Sequence, residues 1–510
     1  MTEKPSSGST VSTFAATDTA DPGSPPAPPP VGRGRPQRDL TTGPIGATLL
    51  AFALPTLGSN ILQSLNGSIN TIWVGRFLGE SAVAATANAN IIMFLMFGLV
   101  FGFGMAATII VGQSWGRHDT EGARRAFGSA IGLVLLASVI VAAAGWVFAP
   151  NILTLLATPG EAFTDALAYL RVIFLGLPAS MILVLMFIGL RGTGDSLTPL
   201  WVMALSVVLD SGLNPVFILG LGPAPRLGIA GSATATLIAN VVAVAALATW
   251  LNVRDLPLRL KGAELRYILP DPALVRTIVG KGLPIGAQML VISGAGLAMV
   301  GLVNRNGLAT TAAYGVTQQL WTYIQMPAMA IGAAVSAMAA QNIGAGKWDR
   351  VDRITRSGIV YNVAITGAVV AVTLLFEEPL LSLFLPAGAQ ALPVAAHINR
   401  IASWGFVLFG ATMVLFGTVR ANGAVWGPLA ILFIAMFPVR LGIATLMRGT
   451  IDVDALWWSF PIGSATTILL AALYYRQGGW RRGALLAQKD GCEQRSHADV
   501  ESTGALHAAG

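Results

Sequence analysis

The chain has 510 residues, 54% of them hydrophobic and only 11% charged, with a formal net charge of +7; soluble domains carry roughly 25% charged residues. With a mean hydropathy of +0.68, this excludes a soluble globular domain and points to an all-α integral membrane protein. The single cysteine, Cys492, allows no intrachain disulfide.

Residues 1–43, which include "PGSPPAPPPVGRGRPQR", are rich in Pro, Gly and Arg and have no apolar core. The sequence predicts a disordered tail there, without the apolar stretch of a signal peptide. Twelve apolar segments follow, at 45–70, 82–110, 124–148, 166–190, 197–220, 228–251, 275–302, 312–338, 354–376, 394–418, 425–447 and 454–475. Each can form a helix that crosses a bilayer, which takes about 20 apolar residues, and none alternates as a barrel strand does. Two lobes are expected, spans 1–6 over 44–252 and spans 7–12 over 275–475, joined by a cytoplasmic linker at 253–274 and followed by a second disordered tail at 476–510.

With the N-terminus placed in the cytoplasm, 24 of the 31 Lys and Arg fall in the tails and even-numbered loops. Arg76, Arg171, Arg226, Arg305, Arg400 and Arg448 fall on the other side, and Arg440 lies inside a span. This asymmetry is that of a multi-pass protein with both termini cytoplasmic. The bases therefore serve orientation and contact with the lipid bilayer, and no nucleic-acid partner is expected.

Shifting the chain by 228 or 229 residues aligns its halves. "QSWGRHDTEGARRA" meets "QNIGAGKWDRVDRI", pairing Gln113 with Gln341 and Gly116 with Gly344, and "GLRGTGDSLTPL" meets "TVRANGAVWGPL". Pro55 meets Pro284 at the same shift. Each half holds an even number of spans, so both insert the same way and are related by an axis along the membrane normal. Transporters built of parallel halves share this plan.

Asp210, in "SVVLDSGLNPVFILG", is the one acid inside a predicted span. A carboxylate there costs about 2.5–3.5 kcal/mol on insertion scales, and it can take a proton from one side and release it to the other. Asn214 follows one helical turn later on the same face, and Pro215 frees a carbonyl near Ser211. Arg440, the one intramembrane base, is expected to face the cavity or to snorkel to the membrane boundary. A pairing with Asp210 across the cleft is conceivable. Gln288 is a further cavity candidate, and the spanning methionines are expected mainly to pack helices.

The stretch "ALPTLGSNILQSLNGSINTIWVGRFLGESAVAA", the "GQ-x-x-G" loop, "LRGTGDSLTP", "LNPVFILGLG" and "LGIAGSATAT" occur in the order found in the MATE (multidrug and toxic compound extrusion) family. The chain resembles that family over about residues 44–475, and its DinF-like branch in particular. The resemblance implies a V of two six-helix lobes and export of small amphipathic or cationic organic compounds, driven by inward H⁺ or Na⁺ flow, with no other cofactor. It implies Asn70, Asn214 and Thr236 as partners of Asp210 in the coupling cluster, and Pro55 and Pro215 as hinges. Gln63 and Asn66, at helical spacing between Pro55 and Asn70, are expected either to line the N-lobe cavity or to form interhelical hydrogen bonds. Two departures stand out. The family's Asn-x-x-x-Asp-Pro reads Asp210-x-x-x-Asn214-Pro215 here, and its first-helix Asp is replaced by Asn70. Protonation is thereby left to Asp210; H⁺ is favoured, with Na⁺ at Asp210, Asn214 and Asn70 as the alternative.

"GQSWG" at 112–116 fits a nucleophile elbow, but it ends a predicted helix rather than a strand, and its repeat "AQNIG" lacks serine. No metal site and no enzyme activity are expected. The reading is an alternating-access antiporter, a monomer in a bacterial-type inner membrane, with a lipid-precursor flippase or an uncoupled channel or receptor as alternatives.

Overall fold

The computed structural model describes residues 39–155, 160–385 and 389–482; most of the two tails, with Cys492, lies outside them. The described residues are helical and contain no strand. The N-lobe comprises α1 (Ile45–Leu78), α2 (Glu80–Gly116), α3 (Thr120–Leu155), α4 (Gly160–Gly192), α5 (Leu197–Leu219) and α6 (Ile229–Val253). The C-lobe comprises α7 (Pro272–Asn304), α8 (Leu308–Gly344), α9 (Trp348–Leu375), the short α10 (Glu377–Ser382), α11 (Ala391–Ala402), α12 (Gly405–Ala421), α13 (Trp426–Ile434), α14 (Gly442–Leu446), α15 (Arg448–Ile451) and α16 (Asp454–Gln477).

Ten helices are long and apolar enough to cross a membrane by length and composition, and α11 with α12 makes an eleventh span bent by 44°. The 37-residue α2 completes the twelve expected. Apolar side chains such as Val208, Leu297 and Leu375 are largely exposed, as they must be where acyl chains rather than water surround them. The loops follow from local chemistry. Gly220 closes α5 in the left-handed conformation. The Asp195 carboxylate accepts from the backbone N–H groups of Leu197 and Thr198 to start α5. Asp271 caps α7, with Pro272 in the first helical position.

Four details differ from expectation. The fold starts before residue 44, because Leu40 is fully buried against C-lobe residues such as Ile331 and Val335. It runs past 475, because Trp480 is buried and its carbonyl accepts from Asn422. The tenth span breaks at Ser403–Trp404, where Gly405 lets the backbone approach Pro461. The eleventh is interrupted by a π-helical turn at Ala435–Leu441 that contains Pro438, whose missing N–H displaces the helical ladder.

The first helix of each half passes from one lobe to the other. Leu49, Phe52 and Ala53 of α1 pack with C-lobe residues, whereas beyond Pro55 the helix lies on α5, with Gly58 against Leu200. In α7, Ile278 and Ile285 belong to the N-lobe core and Met299 and Val303 to the C-lobe core. Pro284 precedes the crossing, since Ile285 and Gly286 still pack on the N-lobe. The repeat-paired prolines thus sit in equivalent helices, Pro55 at the crossing of α1 and Pro284 before that of α7.

Candidate functional site

Asp210 sits in the middle of α5 and is 1% exposed. Its Oδ2 accepts from Asn66 Nδ2 at 2.8 Å and Asn70 Nδ2 at 2.9 Å, both on α1. Its Oδ1 accepts from Asn214 Nδ2 at 3.1 Å and from Thr236 Oγ1 of α6 at 3.0 Å. Asn214 Nδ2 also donates to Asn70 Oδ1 at 3.0 Å and to the Asp210 carbonyl at 2.9 Å, closing a triangle of three side chains. Helical spacing produces this arrangement: 66 and 70, like 210 and 214, lie one turn apart on a shared face, and α1, α5 and α6 pack side by side.

A carboxylate offers about four lone-pair positions, and four side-chain donors fill them. The charge is met entirely by neutral groups. The amide oxygens of Asn66 and Asn214 and the Ser211 hydroxyl are buried without a partner among the described residues. Unpaired oxygens beside a carboxylate suit an arriving cation: they can accept from a protonated acid once an amide rotates, or ligate Na⁺ directly. Two features went unforeseen. Tyr169 of α4, nearly buried, is within electrostatic reach of the carboxylate. One turn toward the end that carries the termini, Asn240 donates to Ser180 at 2.8 Å and accepts from Ser206. Beyond that pair, Val202 and Val244 close the lobe with apolar packing.

The other candidates are distributed differently. Asn66, expected in the cavity or in an interhelical hydrogen bond, donates from α1 to Asp210 on α5. Gln63 is exposed on α1. Gln288 is a correction: it is 3% exposed and donates to the Val425 carbonyl at 3.3 Å, so it ties α7 to the start of α13 and lines no open cavity. Arg440 does not pair with Asp210. Its guanidinium lies 3.7 Å from the Phe460 ring centroid and 3.6 Å from Met436 Sδ, inside the C-lobe. Met181, Met186, Met299 and Met326 are buried packing residues, and His397 is exposed, 2.8 Å from Asp454. Pro55 and Pro215 both lie inside continuous helices.

Between the lobes, the repeat builds a reciprocal clasp. Gln113 at the end of α2 donates to the Ala421 carbonyl at the end of α12 at 2.6 Å. Its repeat partner Gln341, at the end of α8, donates to the Gly192 carbonyl at the end of α4 at 2.9 Å. Gly116 lies against the Gln341 backbone and Gly344 against that of Gln113, each so close that a Cβ would collide. Asn342 adds a bond to the Leu40 carbonyl at 3.0 Å. These contacts shut the lobes together at the end bearing the basic loops.

The MatE family model matches residues 55–216 and 284–446, two blocks at the spacing of the repeat. The chain belongs to the MATE family. It is 34% identical to the probable multidrug resistance protein YoeA of Bacillus subtilis, over 84% of this chain and 93% of that protein. To the probable multidrug resistance protein YpnP of the same organism it is 29% identical, over 88% and 99%. Among solved structures, an outward-facing multidrug resistance MATE family transporter of the MOP superfamily superposes with a TM-score of 0.80 at 22% identity, covering 87% of this chain and 98% of that one. The MATE fold is that of twelve membrane helices in two lobes, so the fold expected from the repeat holds.

Proposed function

We propose that this MATE protein is a secondary exporter of small amphipathic or cationic organic compounds, coupled to inward H⁺ flow through Asp210 and working by alternating access. The observation that carries the reading is the buried carboxylate shared by α1, α5 and α6, with four neutral donors and no cationic partner among the described residues. The first helix reaches both lobes, so a change of charge at Asp210 acts on an element that can move them relative to each other. In the proposed cycle the clasp of Gln113 and Gln341 keeps the termini end shut while the cleft faces outward. A proton arriving from outside neutralises Asp210, and an amide turns its oxygen toward the new O–H. The α1–α5 contact rearranges, substrate leaves outward, and the proton is released when the lobes open inward. None of these residues performs covalent chemistry, which supports a transporter rather than an enzyme.

The names of the relatives support the substrate class, and the basic loops support an inner-membrane placement with both termini cytoplasmic. A second reading, Na⁺ coupling, draws on the unpaired amide oxygens of Asn66 and Asn214. Transport of a cationic dye into everted vesicles, whose lumen corresponds to the outside, under separate H⁺ and Na⁺ gradients decides between them. We expect the H⁺ gradient alone to drive wild-type efflux and Asp210→Asn to abolish that component. Equal gradient-driven efflux from both proteins would remove Asp210 from the mechanism. Efflux driven by Na⁺ alone would establish the second reading.

A further inference from the structure

The two lobes differ at the end that carries the termini. In the N-lobe the connection between α6 and α7 folds back over α3. Its 3₁₀ turn at Gly262–Ile268 lays Tyr267 on Gly128 and the Ile268 backbone on Gly132. Arg124 fastens it by donating to Glu264 at 2.7 Å and to the Pro257 carbonyl at 2.8 Å. The equivalent C-lobe positions, 228 residues on, are Arg356 and Val360, and both are exposed. Here α9, α12 and α16 leave a cavity of about 590 Å³.

Its wall is apolar, made by Ile359, Leu415, Ile468 and Ala472, and its mouth carries Arg356, Arg476 and Arg481 against a single acid, Asp352. That acid is already committed: it accepts from Arg481 at 2.7 and 2.9 Å and from Tyr475 at 2.7 Å. Arg356 and Arg476 have no hydrogen-bond or ion-pair partner among the described residues. Two free guanidiniums over an apolar slot, at the basic membrane end, match the chemistry of a lipid with an anionic head. Guanidinium is the side chain best suited to phosphate oxygens.

We propose that this cleft binds one anionic phospholipid, its phosphate held by Arg356 and Arg476 and one acyl chain lying along Ile359, Leu415 and Ile468. The N-lobe needs no such lipid because its own chain covers the equivalent groove. Native mass spectrometry of the full-length protein, equilibrated with equal amounts of phosphatidylglycerol and phosphatidylcholine, tests this. Wild type should retain one phosphatidylglycerol in clear preference. The Arg356→Gln/Arg476→Gln variant should reduce that preference about ten-fold. Ile359→Trp, which fills the slot and keeps both charges, should reduce it as well. Arg353→Gln, an exposed base on α9 outside the cavity, should leave it unchanged. Equal retention by wild type and the double variant would overturn the proposal, as would a matching loss in Arg353→Gln, which would make the effect one of general surface charge. Binding that emerges only when the chain is ended at Arg482 would also overturn it, by assigning the cleft to residues 483–510 instead.

Discussion

Asp210 owes its environment to side chains that differ from the family pattern it resembles. The acid stands where that pattern has Asn, and the pattern's acid position holds Asn214, which touches both Asp210 and Asn70 at about one hydrogen bond's length. If the site needs one carboxylate inside this ring rather than at one atom position, moving it by one turn should be tolerated. We therefore expect Asp210→Asn to lose at least ten-fold of H⁺-driven dye efflux, and Asp210→Asn/Asn214→Asp to recover much of it. Dye uptake into everted vesicles containing equal amounts of folded protein measures both. No recovery in the double variant would tie coupling to the position of Asp210 itself. The sequence alone made Asp210 legible, because a lone acid in an apolar run is costly and so conspicuous. It did not distinguish Asn66 from Gln63, since both lie on α1 within a turn of each other; only the rotation of α1 against α5 separates the donor from the exposed amide.

At the scale of the element, the twelve spans were readable from hydropathy because each needs a long apolar run. Their bends were not. The break at Ser403–Trp404 has no proline to announce it, and Pro438 announces an interruption but not that it takes the form of a π-turn. The prolines of α1 and α7 carry more meaning in the structure than in the sequence. Pro55 lies where α1 leaves the C-lobe core for α5, and Pro284 lies in α7 before that helix leaves the N-lobe core. A proline inside a helix removes one hydrogen bond and costs about 3 kcal/mol in an isolated helix, so its use at a lobe crossing supplies a weak point where bending is needed. Pro55→Ala restores the bond. We expect a melting temperature equal to or above that of wild type, with transport reduced several-fold because the helix resists bending. A variant that transports at the wild-type rate would show that bending at Pro55 plays no part in transport. A variant with lower stability would show that Pro55 serves packing instead.

For the whole molecule, the repeat predicted two like lobes but not how they meet. Gln113 and Gln341 were visible as repeat partners, yet nothing in a one-dimensional alignment says that each reaches across to a carbonyl of the opposite lobe. The pseudo-twofold axis turns one motif into two bonds, and each glutamine secures the end of a helix whose last carbonyls lack intrahelical donors. Gly116 and Gly344 permit the approach, since any Cβ at either position would meet backbone of the other lobe. Removing one partner of a buried hydrogen bond costs about 1–3 kcal/mol, which acts only on the state in which the clasp is made. Gln113→Ala/Gln341→Ala should therefore shift the balance toward the state open at the termini end by at least about ten-fold. Spin labels at the exposed positions His118 and Asp349, with Cys492 replaced by serine, report this as a longer inter-lobe distance population in electron–electron double resonance. Gly116→Ala should act in the same direction by steric contact alone, without removing a polar group. If both variants keep the wild-type distance distribution while folding normally, the clasp is packing and does not gate. If only the glycine variant opens the lobes, shape rather than hydrogen bonding holds them shut.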